Sequence, residues 1–231
     1  LVLVTGASSG IGRETSIKLC EAGYDVIISA RSEKKLDDFH SEMISKGHTT
    51  YAIPCDVREY SSVQNLYHSA TNIGFVHCII NNAGFGKFAK ISDTSVEDWD
   101  DMINTNLRGA FLVSKLFVGK MIKNNNGKIV FINSVAGKFG YKYSSAYVTS
   151  KYGLRGLSES LRNELREHNI KVISIHPGAI DTSFWNNVNV DFPKEEMLSS
   201  SSVADIIFNA VDAPDNVTLE EVVVRRTKGD F

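Results

Sequence analysis

The chain has few cysteines and no long apolar run. Its 231 residues include three cysteines, Cys20, Cys55 and Cys78, an odd number that is too widely spaced for a metal knuckle or a Cys-x-x-Cys pair. We expect buried, inert thiols in a reducing compartment. The longest apolar stretches, such as KIVFI and HCIINNAG, fall far short of the roughly 20 residues that cross a bilayer, so no membrane partner is expected. The opening LVLVTGASSG reads as strand and glycine turn rather than signal peptide, which adds to the expectation of a cytoplasmic protein.

An excess of one charge sign is also missing. The 25 Lys and Arg residues face 27 Asp and Glu residues, for a formal net charge of -2. Such a chain has no broad positive field for a phosphate backbone, so nucleic acid is not an expected partner. The six histidines form no cluster with metal-ligand spacing, and no metal is predicted. For His176, which precedes Pro177, we expect a structural role at a strand end.

Short runs rich in Val and Ile recur along the chain with helix-like stretches between most of them. They read LVLVT, YDVIISA, TTYAIPC, HCIIN, GKIVFIN, KVISIHP and EEVVVRR. This alternation predicts an α/β protein with a doubly wound parallel sheet of about seven strands and helices on both faces. The length and the 42% hydrophobic content fit a single domain over residues 1–231. Ligands of such sheets bind beyond the carboxyl ends of the strands, so the residues that follow each strand are the candidates for a site.

A glycine turn follows the first of these strands. Gly6, Gly10 and Gly12 lie in TGASSGIGRE, just before a helix-like stretch. Glycines let the backbone approach a pyrophosphate, and the amides at the start of the helix attract its charge. The spacing is Gly-x3-Gly-x-Gly rather than Gly-x-Gly-x2-Gly, and a tight turn without a ligand is the alternative. Its position at the first strand favours a nucleotide site.

A phenol and an ammonium lie four residues apart in SAYVTSK. Tyr147 and Lys151 share one helix face, which continues through Leu154 toward the sheet. A lysine near an inward face with no acidic partner is costly as pure structure. Its charge is expected to lower the pKa of Tyr147 toward working pH, as a general acid or base requires. A chance pairing is the alternative, and Ser134, thirteen residues earlier at the end of the fifth strand, argues against it.

Several ordered motifs together resemble the short-chain dehydrogenase/reductase family over essentially the whole chain. They are TGASSGIG, CDV at 55–57, NNAG at 81–84, NTNLRG at 104–109, INSVAG at 132–137, YVTSK at 147–151 and PGAIDT at 177–182. The resemblance implies a Rossmann-type fold and hydride transfer between a nicotinamide and a carbonyl carbon. It makes Tyr147 the proton donor, Ser134 the group that polarises the carbonyl, and Lys151 the pKa modulator and ribose ligand. It also assigns Asn106 a helix distortion and a water that relays protons; a solvent-facing polar residue is the alternative.

The same resemblance assigns contacts along the whole dinucleotide. Asp56 and Val57 flank the adenine, although for Asp56 a turn-forming carboxylate is the alternative. Asn82, Ala83 and Gly84 lie along the adenosine ribose. The remaining contacts are the turn residues Gly6, Ser8, Ser9, Gly10, Ile11 and Gly12, the nicotinamide-end residues Pro177, Gly178, Ile180 and Thr182, and Tyr147 with Lys151 at the ribose.

The end of the second strand predicts which dinucleotide binds. An NAD-preferring fold places Asp or Glu there, and an NADP-preferring fold offers a cation to the 2′-phosphate. Here the strand ends at Ala30 and Arg31 follows, which predicts NADP(H). A solvated arginine is the alternative. Relatives often add a basic residue just before the middle glycine, where this chain has Ser9, and Arg13 lies a turn further on. We therefore expect a clear but not extreme preference for NADPH.

Aromatic residues collect in the segments predicted to lie beside the nicotinamide. These are Phe85, Phe88, Phe139, Tyr141, Tyr143, Phe184, Trp185 and Phe192. They predict a mostly apolar pocket for a bulky or planar ketone, and residues 181–202 have the composition of a lid. The general motifs resemble 3-oxoacyl reductases, which act on acyl thioesters, and 3-hydroxy acid dehydrogenases. The segment GFGKFAKISDTSVEDWDDMINTNLRG and the ending LEEVVVRRTKGDF resemble sepiapterin reductase-type members instead. A catalytically silent nucleotide sensor or scaffold is the alternative from another class.

Two long helices, over about 95–122 and 144–168, carry apolar residues on more than one face. Phe111, Leu112, Leu116 and Phe117 are examples. Helices that are apolar nearly all round are buried, and a second copy would bury the outer face. We expect a homodimer or homotetramer that acts on a small-molecule ketone, alcohol or acyl thioester.

Overall fold

The fold was analysed in a computed structural model, which describes residues 1–182, 184 and 193–229. Strands within these ranges are β1 (Val2–Thr5), β2 (Val26–Ser29), β3 (Thr50–Ala52), β4 (Cys78–Asn81), β5 (Gly127–Ile132), β6 (Ile170–Pro177), β7 (Ile180–Asp181), β8 (Leu198–Ser199) and β9 (Glu221–Val224). Helices are α1 (Gly10–Glu21), α2 (Glu33–Ser45), α3 (Tyr60–Ile73), α4 (Val96–Ile103), α5 (Ala110–Lys123), α6 (Ser145–Leu165) and α7 (Ser200–Val211).

Seven of the strands form one parallel sheet in the order β3-β2-β1-β4-β5-β6-β9. The chain moves outward from β1 to β3, then returns to β4 on the other side of β1. The strand order therefore reverses between β1 and β4, which is where a doubly wound sheet opens a crevice for a ligand. The predicted seven-stranded, doubly wound α/β fold is confirmed. The short strands β7 and β8 form a separate parallel pair that the sequence did not predict.

The five inner strands of the sheet are buried on both faces, which explains their continuous apolar runs. In β1, Val2 and Val4 pack with residues of α1, α2 and α7, whereas Leu3 packs on the opposite face with residues of α3, α5 and α6. Successive strand residues point to opposite faces, so each face of the sheet carries its own core.

The first of the two predicted long helices is interrupted. Between α4 and α5, residues Asn104–Gly109 form a wider π-helical turn, and the second long helix is continuous as α6 before a 3₁₀ turn at Arg166–His168. A π-helical turn inside a helix commonly accompanies a functional site. None of the helices in the described residues is long and apolar enough to cross a membrane.

The three cysteines are buried and unpaired, as expected. Burial raises the pKa of the Cys20 thiol to about 11 and that of Cys78 to about 12. Thiols with such pKa values carry almost no thiolate at neutral pH and are poor nucleophiles.

Candidate active site

The glycine turn after β1 is crowded where a nucleotide would approach. Gly6 and Gly10 have positive φ angles of 66° and 53°, a region that favours glycine. A Cβ on Gly6 would lie 2.9 Å from the Cα of Ala83, and one on Gly12 would overlap both Asn82 Nδ2 and the carbonyl oxygen of Gly6. The three glycines therefore let the turn, the start of α1 and the loop after β4 pack at backbone distance.

Asn82 and Thr5 hold this turn in place. Asn82 Nδ2 donates to the carbonyl oxygens of Thr5 at 2.9 Å and of Gly6 at 3.1 Å. The backbone N–H groups of Asn82 and Ala83 both donate to Thr5 Oγ1 at 3.1 Å. The sequence analysis did not predict this role of Thr5. The available indication was a hydroxyl at the end of β1, beside the glycine turn.

The turn opens into a cleft of ≈ 750 Å³ at the carboxyl edge of the sheet. Helix α1 starts there with no acidic residue in its first turn, so its amides and positive dipole end suit a phosphate. The predicted cofactor residues that line this cleft are Gly6, Ser8, Ser9, Gly10, Ile11, Arg31, Val57, Asn82, Ala83, Gly84, Tyr147, Lys151 and Thr182.

Five of the predicted dinucleotide contacts do not line this cleft. Gly12 packs beneath the turn against Asn82. The Asp56 carboxylate is held by Arg58, whose Nη2 lies 2.7 Å from Asp56 Oδ2. This pairing holds the pKa of Asp56 below its usual value, and Asp56 Oδ1 also accepts from the backbone N–H of Arg58 at 3.0 Å, as a turn-forming carboxylate does. Its predicted adenine contact stays a prediction. Pro177 lines a second cavity together with Gly178 and Ile180.

A cationic corner lies at the far end of the cleft. Arg31 and Ser32 line it beside Lys35, which comes from the first turn of α2. Arg31 and Lys35 are both exposed to solvent. The sequence analysis did not predict Lys35. It could have done so, because a helix that begins shortly after β2 places its first turn at the carboxyl edge of the sheet, beside Arg31. Arg13 is directed elsewhere, because its guanidinium lies 4.7 Å from the Phe39 ring centroid and pairs with Glu42.

Ser134, Tyr147 and Lys151 come together where β5 ends and α6 begins. The Tyr147 and Ser134 side chains are joined by a hydrogen bond. Lys151 Nζ lies 5.7 Å from the Tyr147 ring centroid and donates to the carbonyl oxygen of Ile132 at 2.9 Å. The helical spacing predicted from sequence therefore places the phenol and the ammonium side by side.

The titration of this pair differs from the expectation. Burial raises the pKa of Tyr147 to about 12, and the hydrogen bond with Ser134 opposes this only in part. Burial also lowers the pKa of Lys151 to about 8. The expected lowering of the Tyr147 pKa is wrong for the protein itself, because the cost of removing a phenolate from water exceeds the stabilisation that Ser134 provides. Lys151, rather than Tyr147, is the group that can exchange a proton near neutral pH.

Asn106 lies buried inside the π-helical turn rather than facing solvent. Its Oδ1 accepts from the N–H of Phe85 at 2.9 Å, and its Nδ2 donates to the carbonyl oxygen of Phe85 at 2.9 Å and to Ser150 Oγ at 3.0 Å. Ser150 Oγ in turn donates to the carbonyl oxygen of Tyr147 at 2.7 Å. Asn106 thus ties the loop after β4 to the helix that carries Tyr147. Its predicted water relay stays a prediction.

His176 is fully buried in β6 and contacts the backbone of Ser134. Its Nδ1 lies 3.1 Å from the Ser134 carbonyl oxygen, which can only accept, so Nδ1 carries the proton. Burial lowers the pKa of His176 to about 4, so the ring is neutral. This is a structural role at a strand end, as the sequence indicated.

The second cavity, of ≈ 410 Å³, adjoins the cleft on the other side of Tyr147. Both are lined by Ile11, Asn133, Tyr147, Thr182 and Phe184. The ring of Tyr147 packs edge-on against Phe88 and Phe184, with centroid distances of 5.5 and 5.7 Å. Tyr147 therefore stands at the junction between the two cavities.

Four of the predicted pocket aromatics line this second cavity: Phe88, Tyr141, Tyr143 and Phe184. Phe85 lines the cleft instead, and Phe139 packs under the guanidinium of Arg225 at 4.9 Å. Trp185 and Phe192 lie outside the described residues, as does the middle of the predicted lid at 181–202, namely residues 183 and 185–192. The cavity also contains Arg226, which sequence reasoning missed.

Comparison with known proteins agrees with this geometry. The family described as short chain dehydrogenase matches residues 1–192. The chain belongs to the short-chain dehydrogenase family. The predicted membership, and with it the prediction of an oxidoreductase that acts on CH–OH or C=O groups, is confirmed. Sepiapterin reductase of Chlorobaculum tepidum is 32% identical over 239 residues, which span 100% of this chain and 98% of that protein.

Solved structures of this family share the fold over nearly the whole chain. An alcohol dehydrogenase from Thermococcus sibiricus, complexed with 5-hydroxy-NADP, has a TM-score of 0.90 and 27% identity, covering 98% of this chain and 96% of that one. A closed form of serine dehydrogenase complexed with NADP+ has a TM-score of 0.89 and 27% identity, covering 96% and 93%. Within residues 1–182, 184 and 193–229, no group of three or more His, Cys, Asp or Glu side chains could hold a metal ion.

Proposed function

We propose that this short-chain dehydrogenase is an NADPH-dependent carbonyl reductase in which Tyr147 protonates the oxygen of a ketone. The observation that carries the proposal is the position of Tyr147 at the junction of the two cavities, hydrogen-bonded to Ser134 and adjacent to Lys151. A group placed there reaches a substrate on one side and the cofactor cleft on the other.

The residues of the cleft fit a dinucleotide phosphate. The glycine turn leaves no space for side chains, the first turn of α1 has no carboxylate, and Arg31 and Lys35 stand where a 2′-phosphate would lie. Both solved relatives described above carry NADP or its analogue. NADP(H) is therefore the cofactor, and it supplies the hydride when bound.

The side chains of the site can then manage the proton. Tyr147 keeps its proton at neutral pH because burial disfavours the phenolate, so it acts as an acid only when negative charge develops on the carbonyl oxygen. The Ser134 hydroxyl polarises that oxygen. The Lys151 charge stabilises the phenolate left after transfer.

The second cavity favours a planar ketone. Its walls contain Phe88, Tyr141, Tyr143 and Phe184, which offer ring faces and edges to a flat substrate. Together with the relative named sepiapterin reductase, this supports reduction of a pterin side-chain ketone. Reduction of a 3-oxo acid or 3-oxoacyl thioester is the second candidate, favoured by the neighbour named serine dehydrogenase, since serine is a 3-hydroxy acid.

Replacing Tyr147 with Phe tests the proposal. NADPH oxidation with sepiapterin or acetoacetyl thioester should fall by a factor on the order of 10²–10⁴, the usual contribution of a general acid, while the affinity for NADPH stays unchanged. Tyr152→Phe is the matched control, because Tyr152 is on the same helix and its hydroxyl only donates to the Lys138 carbonyl oxygen at 2.7 Å. Substantial turnover by Tyr147→Phe would contradict the assignment. A wild-type protein that binds NADPH but reduces neither ketone would support the silent sensor instead.

We also propose a cytoplasmic homodimer or homotetramer assembled through α4, α5 and α6. The Phe111 side chain on α5 is 42% exposed, and a partner copy would cover it. Light scattering at micromolar concentration should give a dimer or tetramer mass, and Phe111→Glu should shift it toward the monomer. A monomer mass for the wild type would contradict this assembly.

A further inference from the structure

Arg226 occupies a place in the second cavity that the proposed chemistry does not use. It lies two residues beyond β9, the strand that pairs with β6 at the edge of the sheet. Gly178 N donates to the Val224 carbonyl oxygen at 2.8 Å, which holds the end of β9 beside the Pro177–Gly178 turn. Arg226 thus emerges at the carboxyl edge of the sheet and lines the same cavity as Ser134 and Tyr147.

The Arg226 guanidinium is held in place by Glu196. The two side chains form an ion pair through Arg226 Nη2 and Glu196 Oε2, and they are 13% and 46% exposed. Glu196 belongs to a 3₁₀ turn just before β8, and Leu198 N donates to the Ala179 carbonyl oxygen at 3.0 Å. Both partners are therefore anchored to the backbone around 178–181. A guanidinium fixed in this way loses little freedom when it binds a ligand.

The surroundings determine what kind of ligand group suits Arg226. A guanidinium has five N–H donors in a planar fork and no acceptor, so it can hold Glu196 and also donate to a ligand. In a cavity with several aromatic rings in its wall such a hydrogen bond is stronger than in water. Because Glu196 already balances the charge, a carboxylate on the substrate would face a second carboxylate. The other cation at this cavity, Lys142, is exposed and therefore solvated.

We propose that Arg226 is a specificity-determining residue, which donates to a neutral carbonyl acceptor, such as a lactam or amide, on the ring of the ketone substrate. The inference rests on the proposed function, since it supposes that the ketone itself binds at Ser134 and Tyr147. A cavity of ≈ 410 Å³ holds one small ring system, so a substrate with its ketone at Tyr147 can present a ring substituent to Arg226.

Three ketones that differ only in one ring substituent test the proposal. The probes are 4-acetylbenzamide, 4-acetylbenzoate and 4-methylacetophenone, assayed with NADPH for kcat/KM. Ring substituents also change the intrinsic reactivity of the ketone, so the quantity compared is the amide-to-methyl ratio in each variant relative to wild type. In Arg226→Met this ratio should fall several-fold to about tenfold, the usual net worth of one hydrogen bond. Arg225→Met is the matched control and should leave the ratio unchanged, since Arg225 lies over the Phe139 ring.

A Glu196 variant separates substrate binding from a merely structural ion pair. Glu196→Gln removes the pair but keeps the guanidinium, so the amide-to-methyl ratio should remain and kcat/KM for the benzoate should rise. If Glu196→Gln lowers the ratio as Arg226→Met does, or if Arg226→Met lowers kcat/KM equally for all three ketones, the proposal is wrong. Should Arg226→Met fail to fold by circular dichroism, Arg226→Lys replaces it; it keeps the ion pair but loses the fork, and the ratio should again fall.

A binding measurement keeps this inference distinct from the proposed function. The probe is 4-methylbenzamide, which has no ketone, titrated by calorimetry into the protein saturated with NADP+. If the wild type reduces none of the three ketones, the proposed function fails. Arg226 would still be supported as the donor to a ring carbonyl if Arg226→Met weakens 4-methylbenzamide binding severalfold. Equal affinity in wild type and Arg226→Met, or no binding to the wild type, would overturn the inference.

Discussion

The two cavities that meet at Tyr147 are built in different ways. The glycine turn of the proposed cofactor cleft is formed by backbone: Gly6 and Gly12 pack against Asn82 with no space for a Cβ. The second cavity, which is the proposed substrate site, is formed by large side chains from separate segments, among them Phe88 and Arg226. A site built from backbone keeps its shape through most single substitutions and loses it only where a new side chain does not fit. A site built from side chains can change its ligand specificity through single substitutions. Relatives with different substrates can therefore keep the same cofactor, as the NADP-bound alcohol and serine dehydrogenases do.

The most severe test of this difference adds one methyl group to the cleft. Gly12→Ala should lose NADPH binding and about 3 kcal/mol of stability, because the new Cβ overlaps Asn82 Nδ2 and the Gly6 carbonyl oxygen. Gly119→Ala is the matched control: Gly119 also lies in a helix, its Cβ would meet nothing within 4 Å, and alanine is the better helix former. Thermal unfolding and NADPH fluorescence titration measure both effects. A Gly12→Ala protein that binds NADPH normally would show that the cleft is less tightly built than described.

Cofactor choice is the one property of the cleft that depends on exposed side chains. Arg31→Asp should lower the NADPH-to-NADH ratio of kcat/KM by about a hundredfold, since it removes a charge-assisted bond to the 2′-phosphate and adds repulsion. Lys35→Ala should act in the same direction with a smaller effect. Lys34→Ala is the control, because Lys34 pairs with Asp38 at 3.2 Å. Equal efficiency of the wild type with both cofactors would make Arg31 an ordinary surface residue.

The buried lysine at the boundary of the two cavities should reduce stability. Lys151→Met should be more stable than wild type at pH 7 by about 2 kcal/mol, because burial lowers the Lys151 pKa from 10.5 to about 8. Below pH 8 the lysine is charged in both the folded and unfolded states, and the penalty is complete. As pH rises from 8 to 10.5 the folded state loses the proton first, so the wild type regains stability relative to Met.

Urea unfolding of both proteins between pH 7 and pH 10 measures this difference. Comparing wild type with Lys151→Met removes the contributions of Cys20 and Cys78, whose raised pKa values act in the opposite direction over the same range. A stability difference that stays constant with pH would contradict the lowered Lys151 pKa.

The smallest expected effect concerns the wall of the substrate cavity. Tyr143 has a positive φ of 63°, which is unfavourable for a bulky residue, and its carbonyl oxygen accepts from Ala89 N at 2.8 Å. Tyr143→Asn should unfold at the same or a slightly higher temperature, since asparagine tolerates this conformation, yet KM for a planar ketone should rise a few-fold. Tyr143→Phe keeps the ring and should keep KM. An unchanged KM in Tyr143→Asn would remove Tyr143 from the substrate site.

Local pattern was enough to predict much of this protein. Each of the five inner strands reads as an apolar run because it is buried on both faces, so most of the sheet could be predicted without contacts. The spacing of Tyr147 and Lys151 follows from helix geometry alone, and the glycine turn follows from positions where a Cβ cannot fit. The proposed role of Arg31 belongs to the same group, because it depends only on the residue type that stands just beyond β2.

Other features depend on contacts between distant segments, and these only the tertiary structure decided. Thr5 is an anchor because the loop after β4 brings two N–H groups to its hydroxyl. Arg226 enters the substrate cavity because β9 pairs with β6 at the sheet edge. The Tyr147 pKa is raised to about 12 rather than lowered because burial outweighs the hydrogen bond with Ser134. Sequence spacing determines which groups are neighbours along a helix. How far these groups are shielded from water depends on the other segments that pack against the helix.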